Sequence, residues 1–130
     1  MSITEIKTDS VYDFNGALSQ GILASGRMLF ISGMTAERAD GSIAGIGDVA
    51  GQTRQVCENI KAIVEAAGGT LADICRLDVY VRDMEHIGLI REVRHRYFMP
   101  PRPASTMLEV SRMVSPDHLV EISAIAMLPA

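Results

Sequence analysis

The chain has 130 residues, 48% of them apolar, and a formal charge of −4 at neutral pH. This length suits one domain with its own core, and the apolar content excludes a disordered chain. The acidic balance argues against nucleic acid as a partner, because phosphate binding needs a basic footprint, and no apolar run reaches the ~18 residues of a membrane helix.

The N-terminal residues lack the basic-then-apolar pattern of a secretory signal, so a single domain over residues 1–130 in the cytoplasm is expected. Cys57 and Cys75 form no CxxC pair, and no His/Cys spacing suggests zinc, so neither metal nor cofactor is expected. Both cysteines fall at apolar positions and read as buried thiols. His86, His95 and His118 read as surface or loop residues.

In chain order, Ser19 to Ala24 and Met28 to Ser32 read as two strands around Ser25-Gly26-Arg27, a hairpin turn. Asp40-Gly41-Ser42 marks another turn. Gly45 to Asp48 leads into a helix of about 18 residues, in which Val49, Val56, Ile60, Ile63, Val64 and Ala67 recur at helical spacing until Gly68-Gly69 ends it. Cys75, Leu77, Val79 and Val81 alternate with Arg76, Asp78 and Tyr80, the period of a half-buried strand. Ile87, Ile90, Val93, Tyr97 and Phe98 mark a second helix, stopped by Pro100-Pro101. Two strands follow, near Ala104 to Val110 and Leu119 to Met127.

This order implies an α+β fold, a mixed sheet with both helices packed on one face. The last strand is apolar on both sides, with Val120, Ile122, Ala124 and Ala126 on one and Leu119, Ile125 and Met127 on the other. Two helices cannot cover both faces of a sheet, so self-association into a cyclic oligomer is expected.

The stretch Arg102-Pro103-Ala104-Ser105-Thr106-Met107-Leu108-Glu109-Val110, with Leu119-Val120-Glu121-Ile122-Ser123-Ala124-Ile125-Ala126 downstream, resembles the C-terminal signature of the Rid family of reactive-intermediate deaminases, also called YjgF/UK-type or endoribonuclease L-PSP proteins. Gly16-Ala17-Leu18-Ser19-Gln20 is similar to the family's Gly-Pro-Tyr-x-Gln segment, and Phe30-Ile31-Ser32-Gly33-Met34 to its Ser-Gly-Gln strand. Gln52-Thr53-Arg54-Gln55 and Glu58-Asn59-Ile60 resemble the first-helix motif, and Val81-Arg82-Asp83-Met84 the end of the middle strand. The resemblance implies a chorismate mutase-like fold and a homotrimer whose sheets form a central barrel. It also implies sites in the clefts between subunits and metal-free hydrolysis of imines and enamines of small amino and keto acids.

Position by position, the resemblance puts the water-orienting carboxylate at Glu121 and the serine after the second strand at Ser32, the two expected catalytic residues. The site tyrosine falls at Leu18, the second-helix asparagine at Arg91, the nearby cysteine at Met107, and the arginine that grips the substrate carboxylate at Ser105. A serine hydroxyl offers one neutral hydrogen bond where a guanidinium offers two charge-assisted ones. A cation moved from strand to helix is therefore expected, with Arg91 first and Arg102 second as substrate-binding residues. Read as a helix alone, Arg91 to Arg96 is a solvated face with a Glu92–Arg96 pair.

Imine hydrolysis needs oriented water, a polar group for developing charge and a hold on the carboxylate, but no metal and no protein nucleophile. Leu18, Met34 and Met107 together suggest a greasier wall, hence a larger or more apolar carboxylate-bearing metabolite, and Ala36 to Gly45 resembles aminomuconate-type deaminases. The competing expectations are a non-catalytic metabolite-binding trimer and an RNA-cleaving protein.

Overall fold

Helix α1 (Val49–Ala66) starts where the Asp48 side chain accepts the Gly51 N–H at 3.0 Å, an N-cap. Its buried stripe runs through Val49, Val56, Cys57, Ile60 and Val64. Gly68, at φ 89°, ends it: the Gly68 N–H reaches the Glu65 carbonyl and the Gly69 N–H the Val64 carbonyl, a closure that favours a residue without Cβ. In this computed structural model, which describes residues 3–130, α1 and helix α2 (Ile87–Tyr97) share one core with a four-stranded sheet.

The sheet order is β3 (Arg27–Met34), β6 (Val120–Leu128), β4 (Ile74–Val81), β5 (Ala104–Glu109). β4 and β5 run parallel, joined through α2, as a parallel pair requires a crossover. β6 is antiparallel to both of its neighbours. The sheet is therefore mixed, as the sequence implies.

The expected hairpin of strands 19–24 and 28–32 does not form. β2 (Gly21–Ala24) pairs instead with β1 (Ile3–Ile6) in a separate two-stranded ribbon, and β3 pairs with β6 from Arg27↔Leu128 onward. The turn between them is pressed onto the end of β6. Gly26 sits at φ 137°, and a Cβ there would collide with the Leu128 carbonyl oxygen. That contact delivers β3 to β6 and leaves β2 to the N-terminal strand.

Alternation along the sheet separates two faces. Ile31, Leu77, Val79, Ile122, Ala124 and Ala126 point to the helices and are buried. The opposite face carries Met28 and Phe30, 53% and 69% exposed, and Leu108. A register shift between Ile74 and Arg76 breaks the expected run in β4, so Ile74 is buried and Cys75 only half-buried, its thiol bonded to the Ile125 carbonyl at 3.4 Å. Cys57 is fully buried, and burial pushes its thiol up to about 12. His118, expected at the surface, is buried instead. Gln52 donates to the Asp117 carbonyl (2.7 Å) and accepts the Leu119 N–H (2.8 Å), folding the His118 segment under α1. No helix among the described residues is long and apolar enough to cross a membrane.

Candidate active site

Glu121 lies on the outer face of β6, level with Tyr80 of β4, while Ser123 lies level with Asp78. Its carboxylate rests on Gly33 of β3, where the β3–β6 register is irregular between Ile31 and Met34. A Cβ on Gly33 would collide with the carboxylate oxygen and stand 3.0 Å from its carbon, so a side chain there would evict Glu121 from its seat. Gly33, Tyr80, Val110, Arg112, Met113, Val114, Glu121 and Ser123 line an open depression of about 640 Å³. Among the described residues, none of the ion pairs engages Glu121. Ser32 is exposed beside Gly33 but does not line the depression.

Ser105 faces the other way. It is level with Leu77, whose side chain is in the core, so it points to the helix side of the edge strand β5. There its hydroxyl oxygen accepts a hydrogen bond from Arg94 Nη1 at 3.2 Å. Arg94 is only 6% exposed, and its Nε is buried without a partner. Burial, with a smaller push from Arg91, brings its guanidinium down to about 10, which leaves it charged at neutral pH.

The surroundings of Ser105 are basic. Arg102 donates through Nη1 to the Gly16 carbonyl at 2.8 Å, and its Nε is also buried without a partner. The His95 ring lies 3.3 Å from the Ala17 carbonyl. Burial first, then Arg102, holds His95 below its ordinary value, with Arg94 and Arg91 adding to the effect. Ser19 fastens this loop to the start of β5 by donating to the Arg102 carbonyl. Ala17, Leu77, Arg94, His95, Phe98, Arg102, Pro103 and Ser105 enclose the niche, closed down to about 10 Å³.

The expected residues therefore fall into two groups. Glu121 belongs to the outer depression, whereas Ser105 and Arg102 belong to the helix-side niche, with Leu18 half-buried next to Ala17 of its wall. Met107 is level with Val79 and packs against the core. Arg91 is exposed one turn before Arg94, and no contact ties it to Ser105. The depression lined by Glu121 does not include Ser105, and the niche lined by Ser105 does not include Glu121.

Sequence reasoning missed Arg94, Gly33 and Arg112. Arg94 had a readable signal: it falls four residues after Ile90 and four before Phe98, on the buried stripe of α2, where a cation is out of place. Gly33 had none, because its role appears only when β6 is laid beside β3. Among the described residues no group of three or more His, Cys, Asp or Glu is placed to hold a metal ion.

Two helices and a mixed four-stranded sheet make this a small α+β domain. The family model described as Endoribonuclease L-PSP matches residues 10–128, and the chain belongs to that family, the Rid/YjgF/RutC family. A RutC family protein of Pyrococcus horikoshii is 46% identical over 112 residues, 85% of this chain and 86% of that protein. The crystal structure of a protein of unknown function of the Rid family, YyfB from Yersinia pestis, superposes with a TM-score of 0.91 at 31% identity, covering 98% of this chain and 100% of that one. RidA from an Antarctic Psychrobacter superposes with a TM-score of 0.74 at 30% identity, covering 96% of this chain and 99% of that one.

Proposed function

We propose that this chain hydrolyses small reactive imines or enamines in the clefts of a homotrimer, with Glu121 as the base that directs water. The observation that carries this reading is the Glu121 carboxylate itself, free of ion pairs among the described residues and seated on Gly33 in an open depression. As the water oxygen bonds to the imine carbon, Glu121 takes its proton and passes it to the nitrogen. The hydroxyl proton then moves to nitrogen as the C–N bond breaks, releasing ammonia and a carbonyl product, with Glu121 restored.

The two-sided arrangement supports clefts between copies. Glu121 and Ser105 leave one sheet in opposite directions, so a single site using both draws them from two chains. The exposed Met28, Phe30 and Leu108 supply an apolar outer face for such an assembly to bury. Met113 and Val114 in the lining suit a metabolite with an apolar body.

The test is ammonia release from freshly generated 2-iminobutanoate. Glu121→Gln should lower turnover by about 10²–10⁴-fold with the fold intact; wild-type turnover in that variant would end this reading. Ser105, a neutral hydroxyl where the family motif has an arginine, favours a second reading, a trimer that binds metabolites without chemistry. Ligand-induced thermal stabilisation with no ammonia release from the wild type would establish it. The endoribonuclease name of the family model is a weaker guide for a chain of charge −4.

A further inference from the structure

The most unusual charge in the molecule is Arg94. A guanidinium almost wholly removed from water needs compensation, normally a carboxylate. Arg94 has one neutral partner, Ser105 Oγ, and none of the ion pairs among the described residues includes it. The titratable neighbours that act on it are the Cys57 thiol and Arg91, and neither is a carboxylate. A second guanidinium, Arg102, borders the same niche, and both carry a buried, unpartnered Nε. His95 stands in the same field: burial first, then Arg102, with Arg94 and Arg91 adding, disfavours its protonation. Three basic side chains converge, and among the described residues their side-chain hydrogen bonds run to the Ser105 hydroxyl and the carbonyls of Gly16 and Ala17.

We propose that Arg94, acting with Ser105 and Arg102, is the specificity-determining anion site of this protein and holds the carboxylate of its metabolite. The proposal rests on the functional reading above only in taking the ligand to be a carboxylate-bearing metabolite. A planar, singly charged carboxylate suits these donors. The void has room for about one water, so the proposal seats the anion at the edge of the niche, against Ser105 and Arg102, and not inside. The wall is otherwise apolar, from Ala17, Leu77, Phe98 and Pro103, which strengthens a charge-assisted hydrogen bond formed there. Ser105 is the residue that makes this possible: its short side chain leaves space for a guanidinium arriving from α2 and fixes it with one bond. The hydroxyl can rotate to donate to the bound carboxylate while Arg94 donates to the same group.

Titration calorimetry with 2-oxobutanoate, and with butan-2-one as the uncharged counterpart, tests this on the intact protein. The wild type should bind the oxo acid and not the ketone. Arg94→Gln should weaken binding of the oxo acid by at least about tenfold, the loss of one charge-assisted hydrogen bond. Arg96→Ala, on the exposed face of the same helix, should leave it unchanged. Should Arg94→Gln fail to fold, Ser105→Ala and Arg102→Gln must each weaken binding. Unchanged affinity in a folded Arg94→Gln, or in either of the other variants, overturns the proposal. So does a wild type that binds inorganic phosphate or the ketone as well as the oxo acid. Binding lost in Arg94→Gln, together with a wild type that releases no ammonia, would sink the hydrolase reading and leave the anion site standing. Ammonia release that needs Glu121 but ignores Arg94 would do the reverse.

Discussion

Glu121 and Arg94 sit on opposite sides of one sheet, the acid half-exposed in an open depression, the cation buried behind Ser105. Both are free of salt bridges among the described residues, yet the causes differ. Glu121 keeps access to water because its neighbour on β3 has no side chain, so hydration offsets its charge. Arg94 has lost most of its hydration and gained one neutral hydrogen bond, so its charge is a standing cost to the fold. The contrast separates a group placed to use solvent from a group placed to wait for an anion.

Gly33→Ala is the sharpest way to break the first half of that contrast. The new methyl group would strike the Glu121 carboxylate and force either the strand or the acid to move. A stability loss of about 1–3 kcal/mol is expected in urea titrations, with turnover falling alongside it, whereas Ser32→Ala next door should stay within about 0.5 kcal/mol. Equal effects from the two substitutions would mean that Gly33 has no special relation to Glu121.

Arg94→Met addresses the second half. It keeps an unbranched side chain in the niche and removes the uncompensated charge. Stability should rise by about 1 kcal/mol while affinity for 2-oxo acids falls, the signature of a residue kept for binding rather than for folding. A large drop in melting temperature would make Arg94 a structural residue.

The smallest effect concerns His95. Its folded value lies below the ordinary 6.5, because of burial first and then Arg102. The unfolded chain therefore takes up the proton more readily, and the stability contribution is full above about 6.5 and lost as pH falls below it through the folded value. The urea midpoint of the wild type should decline over that range more than that of His95→Gln, and parallel curves would show that the basic cluster does not reach the ring.

Much of this fold is legible in the residues themselves. The stripe of α1 and its Gly68-Gly69 stop are local signals, and Val49, Val56, Ile60 and Val64 are buried as the spacing implies. β2 misleads because pairing is not local: nothing in Gly21 to Ala24 says that Ile3 to Ile6 will take its edge. Cys75 misleads for a related reason, since the irregular register at Ile74 resets the alternation. In the candidate site, Glu121 and Ser105 are readable from the motif, and their opposite directions follow from counting along the paired strands. Arg94 sits on the apolar stripe with Ile90 and Phe98, but Arg91, Glu92, His95 and Arg96 around it give that turn of helix a solvated look that masks the signal.

The place of β6 has a consequence for how the protein is made. It lies between β3 and β4, yet both are translated before it. While the ribosome is still short of residue 120, the facing rims of those two strands have no mate, and Leu77, Val79 and Ile31 have only part of their eventual cover. A nascent chain in that condition is a target for stray pairing with other chains, so slow synthesis through residues 110–120 should depress soluble yield far more than slow synthesis through α1.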